Sequence, residues 1–236
     1  MKNLVSFKSF ALNEKEAEET FSFSELSPTA KKHAIDELRD TNVDYNDWHE
    51  PIIEDFENEM EELGLTDVEV QYSGFYSQGD GASFTADVGD PEVFMRMALG
   101  IESDKWVNMD DHQKPADEEL DLLRSDLLDI GFDSREKLTP ENFVINIIRN
   151  PSRYSHENTI EGDVDIENIP ESIEDDFPRH EYIVSIKNKV TDWARKRSSQ
   201  LYRDLERYYD ELRSDDAVEE TIEGNDYKFT KDGDLA

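Results

Sequence analysis

A glycine-rich segment in the first half of the chain holds several polar side chains close together in sequence. Ser77–Phe84 reads SQGDGASF and places Gln78, Asp80 and Ser83 beside two glycines, which allow a backbone to approach a ligand closely. Farther along the chain, His156 precedes a glutamate and could act as a general base, although we favour a histidine without a catalytic task. Together these four polar residues define one candidate site, of the kind an enzyme would need.

The same segment also has a structural interpretation. In a hairpin turn the glycines would supply positive φ angles, and Asp80 and Ser83 would bond the local backbone. A phosphate-binding loop would require a lysine and a following helix, and the sequence provides neither. We favour the turn over the catalytic site, so the chain is more consistent with a binding protein than with an enzyme.

The residue types also bear on metals and cofactors. The chain has five histidines and no cysteine, so a thiolate site is impossible, and no two histidines have the spacing of an HExxH zinc motif. The spacing of an EF-hand calcium loop is absent as well. The sequence therefore predicts no specific metal site and no cofactor, and it leaves open whether its many carboxylates bind Mg²⁺ or Ca²⁺.

Acidic residues are concentrated in one stretch. Between Asp36 and Glu69 there are 14 acidic residues and one basic residue, Arg39. Carboxylates recur at i, i+4, i+7 and i+11 from Glu50, which on a helix separates neighbouring Cβ atoms by about 5–6 Å, of the order of the phosphate separation along a strand. The predicted binding face comprises Asp47, Glu50, Glu54, Asp55, Glu57, Glu61 and Glu62. The alternative is an ordinary solvated helix face in a protein from an acidic proteome.

The overall charge limits the partners. The formal net charge is -34, which opposes binding to nucleic acid and to anionic membranes because both depend on basic residues. A basic stretch at 187–203 is predicted to balance the acidic helices within the protein or between subunits. No apolar run is long enough to span a bilayer, and residues 1–14 do not resemble a signal peptide. We therefore expect a cytoplasmic protein, with virion association left open.

Periodicity predicts the elements that would position these residues. Helices are predicted at about 28–39, 48–63, 91–99, 116–130, 141–148 and 181–212. Strands are predicted at about 4–10, 154–160 and 164–166, with a β-hairpin over 68–88. The fold class is α+β, with a small antiparallel sheet built around the hairpin, flanking helices and a long C-terminal helix.

The predicted domain organisation is one α+β domain at 1–213 followed by an acidic C-terminal tail at 214–236. Apolar residues recur along the 181–213 helix with nearly heptad spacing. Such a stripe packs along a sheet or along a partner. A homo-oligomer formed through this helix is therefore one possible assembly.

Four segments resemble a widespread group of bacteriophage and prophage proteins. They are Phe23–Ile35, Asp44–Phe56, Ser73–Phe84 and Ser214–Gly233. The third, with the sequence SGFYSQGDGASF, is the most specific. Members of this family are sometimes labelled antitoxin-like, so the resemblance implies a phage origin and leaves the activity open.

These observations lead to one preferred functional hypothesis. The chain would be a phage-encoded acidic binding protein that occupies the basic surface of a host or phage protein. It would inhibit a host nuclease, restriction or defence factor by mimicking nucleic acid. The alternatives are an antitoxin-like or structural, oligomerising phage protein, and an enzyme with a site at the SQGDGAS turn.

Overall fold

The computed structural model describes residues 19–100, 140–169 and 179–236. Its helices are α1 (Pro28–Glu37), α2 (Glu50–Glu62), α3 (Pro91–Met97), α4 (Arg179–Leu212) and α5 (Asp215–Gly224). Its strands are β1 (Phe21–Ser22), β2 (Leu65–Tyr72), β3 (Ala82–Val88), β4 (Phe143–Arg149), β5 (Ile160–Ile166) and β6 (Lys228–Phe229). The α+β class and the long C-terminal helix are confirmed. The predicted strand at 4–10 and helix at 116–130 lie outside the described residues.

A four-stranded antiparallel sheet in the order β2-β3-β4-β5 forms the centre of the fold. The predicted hairpin is its first pair, with Leu65 opposite Val88 and Tyr72 opposite Ala82. A register shift lies between Thr66 and Glu69 of β2, where irregular pairing is common because the strand is at the sheet edge.

The helix predicted at 141–148 is wrong, because this segment is strand β4. Phe143, Ile145 and Ile147 are buried, and the residues between them are more exposed, which is the two-residue period of a strand with one covered face. Valine and isoleucine dominate the segment, and their branched side chains favour strands over helices. The strand predicted at 154–160 is also wrong for most of its length, since a short 3-10 helix at Glu157–Thr159 precedes β5.

Local capping explains where three of the helices begin. The Ser27 hydroxyl accepts a hydrogen bond from the Ala30 N–H at 3.2 Å, and Pro28 occupies the first helical position of α1. The Asp90 carboxylate accepts from the Val93 N–H at 3.0 Å at the start of α3. A serine cap begins α5 in the same way.

Helices α2 and α4 cover one face of the sheet. The ring of Phe84 in β3 contacts Phe56 of α2 and Trp193 of α4, at centroid distances of 5.1 and 6.3 Å. At β5, a Cβ added to Gly162 would lie 2.8 Å from the Val190 side chain, so the absence of a side chain there lets α4 lie close to the sheet. The apolar stripe predicted on the long helix is therefore buried within a single copy of the chain.

The chain divides into two compact units, residues 1–48 with 209–236 and residues 49–208. In the first unit, Val218, Ile222 and Phe229 share one hydrophobic core with residues of α1 and with Phe23. Strand β6 also pairs with β1. This division does not follow the boundary predicted at residue 213, because the segment 214–236 contributes buried side chains to a core.

Candidate functional site

The acidic residues of α2 form its outward surface. Phe56 and Met60 are buried, and their spacing fixes which side of α2 faces the sheet. Helix α2 has seven acidic residues and no basic residue among its 13 positions. We call six of them the acidic face: Glu50, Glu54, Asp55, Glu57, Glu61 and Glu62. Five are exposed and Glu57 is half-buried.

The seventh acidic residue of α2 behaves differently. Glu59 forms a salt bridge with Arg197 of α4. Among the residues that the structure describes, no member of the acidic face has a salt bridge. The predicted residue Asp47 is exposed, but it precedes α2 and belongs to the first unit.

The basic stretch of α4 is engaged with acidic side chains of the same unit. Besides the Arg197–Glu59 pair, Lys187 Nζ lies 3.5 Å from Glu161 Oε2. Arg195 Nε donates to the Ile160 carbonyl at 3.1 Å. The hydrogen bond from the Asn150 amide is the main cause that holds the pKa of the exposed Glu161 carboxyl below its ordinary value. The charge of Lys187 is the second cause. These contacts agree with the predicted role of the basic stretch as an internal counterweight.

The SQGDGASF segment is a tightly bonded turn between β2 and β3. One carboxylate oxygen of Asp80 accepts from the backbone N–H groups of Tyr76 and Ser77, at 3.0 and 2.6 Å. The Asp80 N–H in turn donates to the Ser77 carbonyl at 3.1 Å. Gly79 has a φ of +94°, a conformation that glycine adopts without strain. Asp80 therefore has the local structural role that the turn interpretation gives it.

His156 lies beside this turn, because its backbone packs closely against that of Gly81. A Cβ added to Gly81 would lie 2.5 Å from the Cβ of His156 and 2.7 Å from its Cα. The His156 Nδ1 accepts from the Asn158 N–H at 3.2 Å, and its ring stacks on Tyr154 at 5.8 Å. His156 lies at the start of the short 3-10 helix rather than on a strand.

The four residues of the candidate polar site do not form a proton relay. Gln78 is exposed at the turn, whereas Ser83 is fully buried and its hydroxyl has no hydrogen-bond partner in the structure. No hydrogen bond joins any two of Gln78, Asp80, Ser83 and His156, all of which are described. The arrangement lacks the hydrogen-bonded nucleophile and base of a nucleophilic enzyme.

An aromatic cluster beside this turn was not predicted. It consists of Tyr72, Phe75, Tyr76 and Tyr202, and Phe75 contacts each of the other three rings at centroid distances between 5.6 and 6.4 Å. The density of aromatic residues in 72–76 was a usable signal. Tyr202, which donates its hydroxyl to the Gly74 carbonyl at 3.2 Å, is too distant in sequence to be assigned by pattern.

One group in the first unit has side chains that metals use. The ligand atoms of His33, Glu37 and Asp234 lie within 4.8 Å of one another, and all three residues are exposed. His33 Nε2 is already 2.9 Å from Asp234 Oδ1, and this hydrogen bond raises the pKa of His33 and lowers that of Asp234. The geometry is accounted for by an exposed ion pair.

A pocket of about 190 Å³ lies between α2 and α4. Its lining includes the apolar residues Ile52, Phe56 and Leu201 and one residue of the acidic face, Asp55. Arg197 and Glu59, which form a salt bridge with each other, also line this pocket.

Comparison with known families places the chain. Residues 48–215 match the family described as "Domain of unknown function (DUF8835)". Since the match covers more than half of the 236 residues, the chain belongs to this family. Searches of curated proteins and of solved structures found no match. Within 19–100, 140–169 and 179–236, no helix combines the length and apolar character required to cross a membrane.

Proposed function

We propose that this chain is an acidic binding protein whose α2 docks onto the basic surface of another protein. The observation that carries this proposal is the acidic face of α2. Six carboxylates lie on one 13-residue helix that has no basic residue, and none of the six has a salt bridge within the described part of the chain. Five of the six are exposed to solvent.

Such an arrangement costs folding free energy, because like charges at i and i+4 repel by about 0.2–0.5 kcal/mol per pair. Glu50, Glu54 and Glu61 lie on one side of α2. The nearby Arg197 pairs with Glu59 and with none of these three residues. A binding partner that supplies the missing cations would remove this repulsion. Basic surfaces that bind a phosphate backbone have the matching charge and a similar spacing, so the natural competitor for such a partner is nucleic acid.

A phage origin is part of the same proposal. It is supported by the resemblance of the 73–84 segment and of the other three segments to phage and prophage proteins. A phage protein of this type would occupy a host nuclease, restriction or defence factor. It would act in the host cytoplasm by protein–protein contact.

Competition with nucleic acid tests the proposal. The immobilised protein would be exposed to lysate of the host cell at about 50 and about 500 mM salt, with and without a DNA duplex. We expect captured proteins that bind at the lower salt, are released at the higher salt because screening weakens the attraction, and are displaced by the duplex. Capture that is insensitive to both salt and duplex would argue against the acidic face as the docking surface.

A matched pair of variants locates the surface. Glu50→Lys, Glu54→Lys and Glu61→Lys together change three exposed residues of α2. The control changes Glu219, Glu220 and Glu223 of α5 to lysine, with the same change in net charge. Only the α2 variant should lose the captured proteins.

A further inference from the structure

The turn between β2 and β3 holds an exposed aromatic residue in a fixed backbone conformation. Tyr76 is 71% exposed, yet its N–H is bonded to the Asp80 carboxylate. The base of the turn is closed by the Ser73 N–H, which donates to the Gly81 carbonyl at 3.0 Å, and by the Ser73 hydroxyl, which accepts from the Gly81 N–H at 3.3 Å. A rigid turn of this kind presents a side chain with little ordering cost when a partner binds.

The aromatic cluster supports Tyr76 from below. The rings of Tyr72 and Phe75 stack on each other, with their centroids 6.4 Å apart and 19° between the ring planes. The Phe75 ring contacts Tyr76 edge-on at 6.4 Å and Tyr202 at 5.6 Å. The cluster therefore combines three half-buried rings with one ring that is largely exposed, and exposed aromatic side chains of this kind are enriched at protein interfaces.

Two carboxylates, Asp80 and Glu206, lie near the Tyr202 ring of the cluster. Glu206 follows Tyr202 by four residues on α4 and therefore lies on the same side of that helix. Burial is the main cause that raises the pKa of Tyr202, and the negative charges of Glu206 and Asp80 raise it further. The one basic neighbour in sequence, Arg203, donates to Gln200 along its own helix at 2.7 Å.

The cluster adjoins the N-terminal end of the acidic face. His49, the residue that precedes α2, contacts Tyr72 ring to ring at 5.0 Å. Glu50 follows immediately as the first residue of the acidic face. A basic partner seated along α2 would therefore reach the aromatic rings at that end.

We propose that the aromatic cluster binds an arginine side chain of the basic partner, with the guanidinium on the Tyr76 ring and its charge balanced by Asp80 and Glu206. This inference rests on the proposed function, since it names the residue type that the partner contributes. Arginine fits better than lysine because its planar guanidinium stacks on aromatic faces and is more weakly hydrated.

Peptides of ten arginines and of ten lysines are suitable probes, and titration calorimetry at fixed salt gives the ratio of their affinities. For Tyr76→Ala we expect the preference for the arginine peptide to fall by about two- to fivefold, as expected for one exposed cation–π contact. Tyr76→Phe should keep the preference. Tyr45→Ala is the matched control, because Tyr45 is also 71% exposed and should leave the ratio unchanged.

The α2 triple variant separates this inference from the proposed function. It should weaken both peptides by a similar factor and leave their ratio intact. If it weakens neither peptide, the proposed function fails. If it weakens both but Tyr76→Ala leaves the ratio unchanged, the arginine site alone fails.

A second measurement uses the unaltered protein and so does not depend on the folding of a variant. Aromatic NMR resonances are followed while the arginine peptide is added. We expect the Tyr76 ring to shift and the Tyr45 ring to stay in place. Equal shifts of both rings, or a shift of neither, would overturn the assignment.

Discussion

Replacing Gly79 with alanine should destabilise the unit that contains the β2–β3 turn, for two separable reasons. The first is conformational, since the φ of +94° places a Cβ in conflict with the backbone, at about 1–2 kcal/mol. The second is steric, because the new Cβ would lie 2.4 Å from Cδ1 of the Tyr154 ring and 2.5 Å from its Cε1. Overpacking of this kind costs about 1–3 kcal/mol.

The two effects sum to about 2–5 kcal/mol. Loss of freedom in the unfolded chain offsets about 0.4–1 kcal/mol of this, so a net loss of at least about 1 kcal/mol is expected. Repeating Gly79→Ala in a Tyr154→Ala background should remove the steric part and keep the conformational part. The parent, the two single variants and the double variant form a double-mutant cycle. The free energy of unfolding of each of the four proteins would be measured in urea by circular dichroism.

Gly81 should behave differently in the same assay. Its φ is not in the left-handed region, and the obstacles to a Cβ are the Cβ and Cα of His156. His156→Ala retains both atoms, so it should not rescue Gly81→Ala. At Gly224 a Cβ would meet no atom within 4 Å, and Gly224→Ala is the control expected to be neutral or slightly stabilising.

A Gly79→Ala protein as stable as the parent would refute the turn geometry. Full rescue by Tyr154→Ala would show that the left-handed conformation contributes nothing. Rescue of Gly81→Ala by His156→Ala would show that the turn and His156 do not approach through their backbones.

Three further outcomes follow from the structure. The His33–Asp234 pair should stabilise the first unit most between about pH 3.8 and 6.5, which are the ordinary pKa values of Asp and His. This contribution should be lost as the pH rises through the raised pKa of His33, and also as the pH falls through the lowered pKa of Asp234. Melting of Asp234→Asn against the parent at pH 5.5 and pH 9 checks it, and equal differences at both would contradict it. Phe229→Ala should destabilise by about 3–5 kcal/mol in urea, because the ring is fully buried, whereas a dispensable tail would tolerate it. Ser198→Ala should be neutral or stabilising by up to about 1 kcal/mol in the same assay, since its buried hydroxyl has no partner; a clear loss of stability would reveal a hydrogen bond.

The elements that the sequence predicts well are those with a strong local signal. Ser27 and Pro28 fix the start of α1, and the alternation in Ala82–Val88 is visible without tertiary information. Helix α2 also follows from the spacing of its apolar residues. The same periodicity gives the outward direction of its carboxylates, so the acidic face is predictable from sequence alone.

Strand β4 shows where pattern fails. Its run of apolar residues fits a helix or a buried strand, and the choice is made by seven residue pairs along β5. The segment 214–236 is a similar case. It is acidic overall, but Ile222 and Phe229 find their partners near residues 23–35, about two hundred positions away in sequence.

The candidate site divides in the same way. The close approach of Gly81 to His156 and the contact of Phe75 with Tyr202 are long-range consequences of the fold, so no spacing in the sequence indicates them. The role of Asp80 is local, and the turn composition predicts it.

The association rate of a captured partner with the two charge-reversed proteins tests the central claim most directly. Partner binding would be measured at about 50 mM salt for the parent, the α2 triple variant and the α5 triple variant, each with and without a DNA duplex as competitor. If α2 mimics a phosphate backbone, the α2 variant should associate at least about tenfold more slowly, the α5 variant should stay close to the parent, and the duplex should displace the parent protein. Equal slowing of both variants, or a parent complex that the duplex cannot displace, would contradict the claim and leave net charge alone as the explanation.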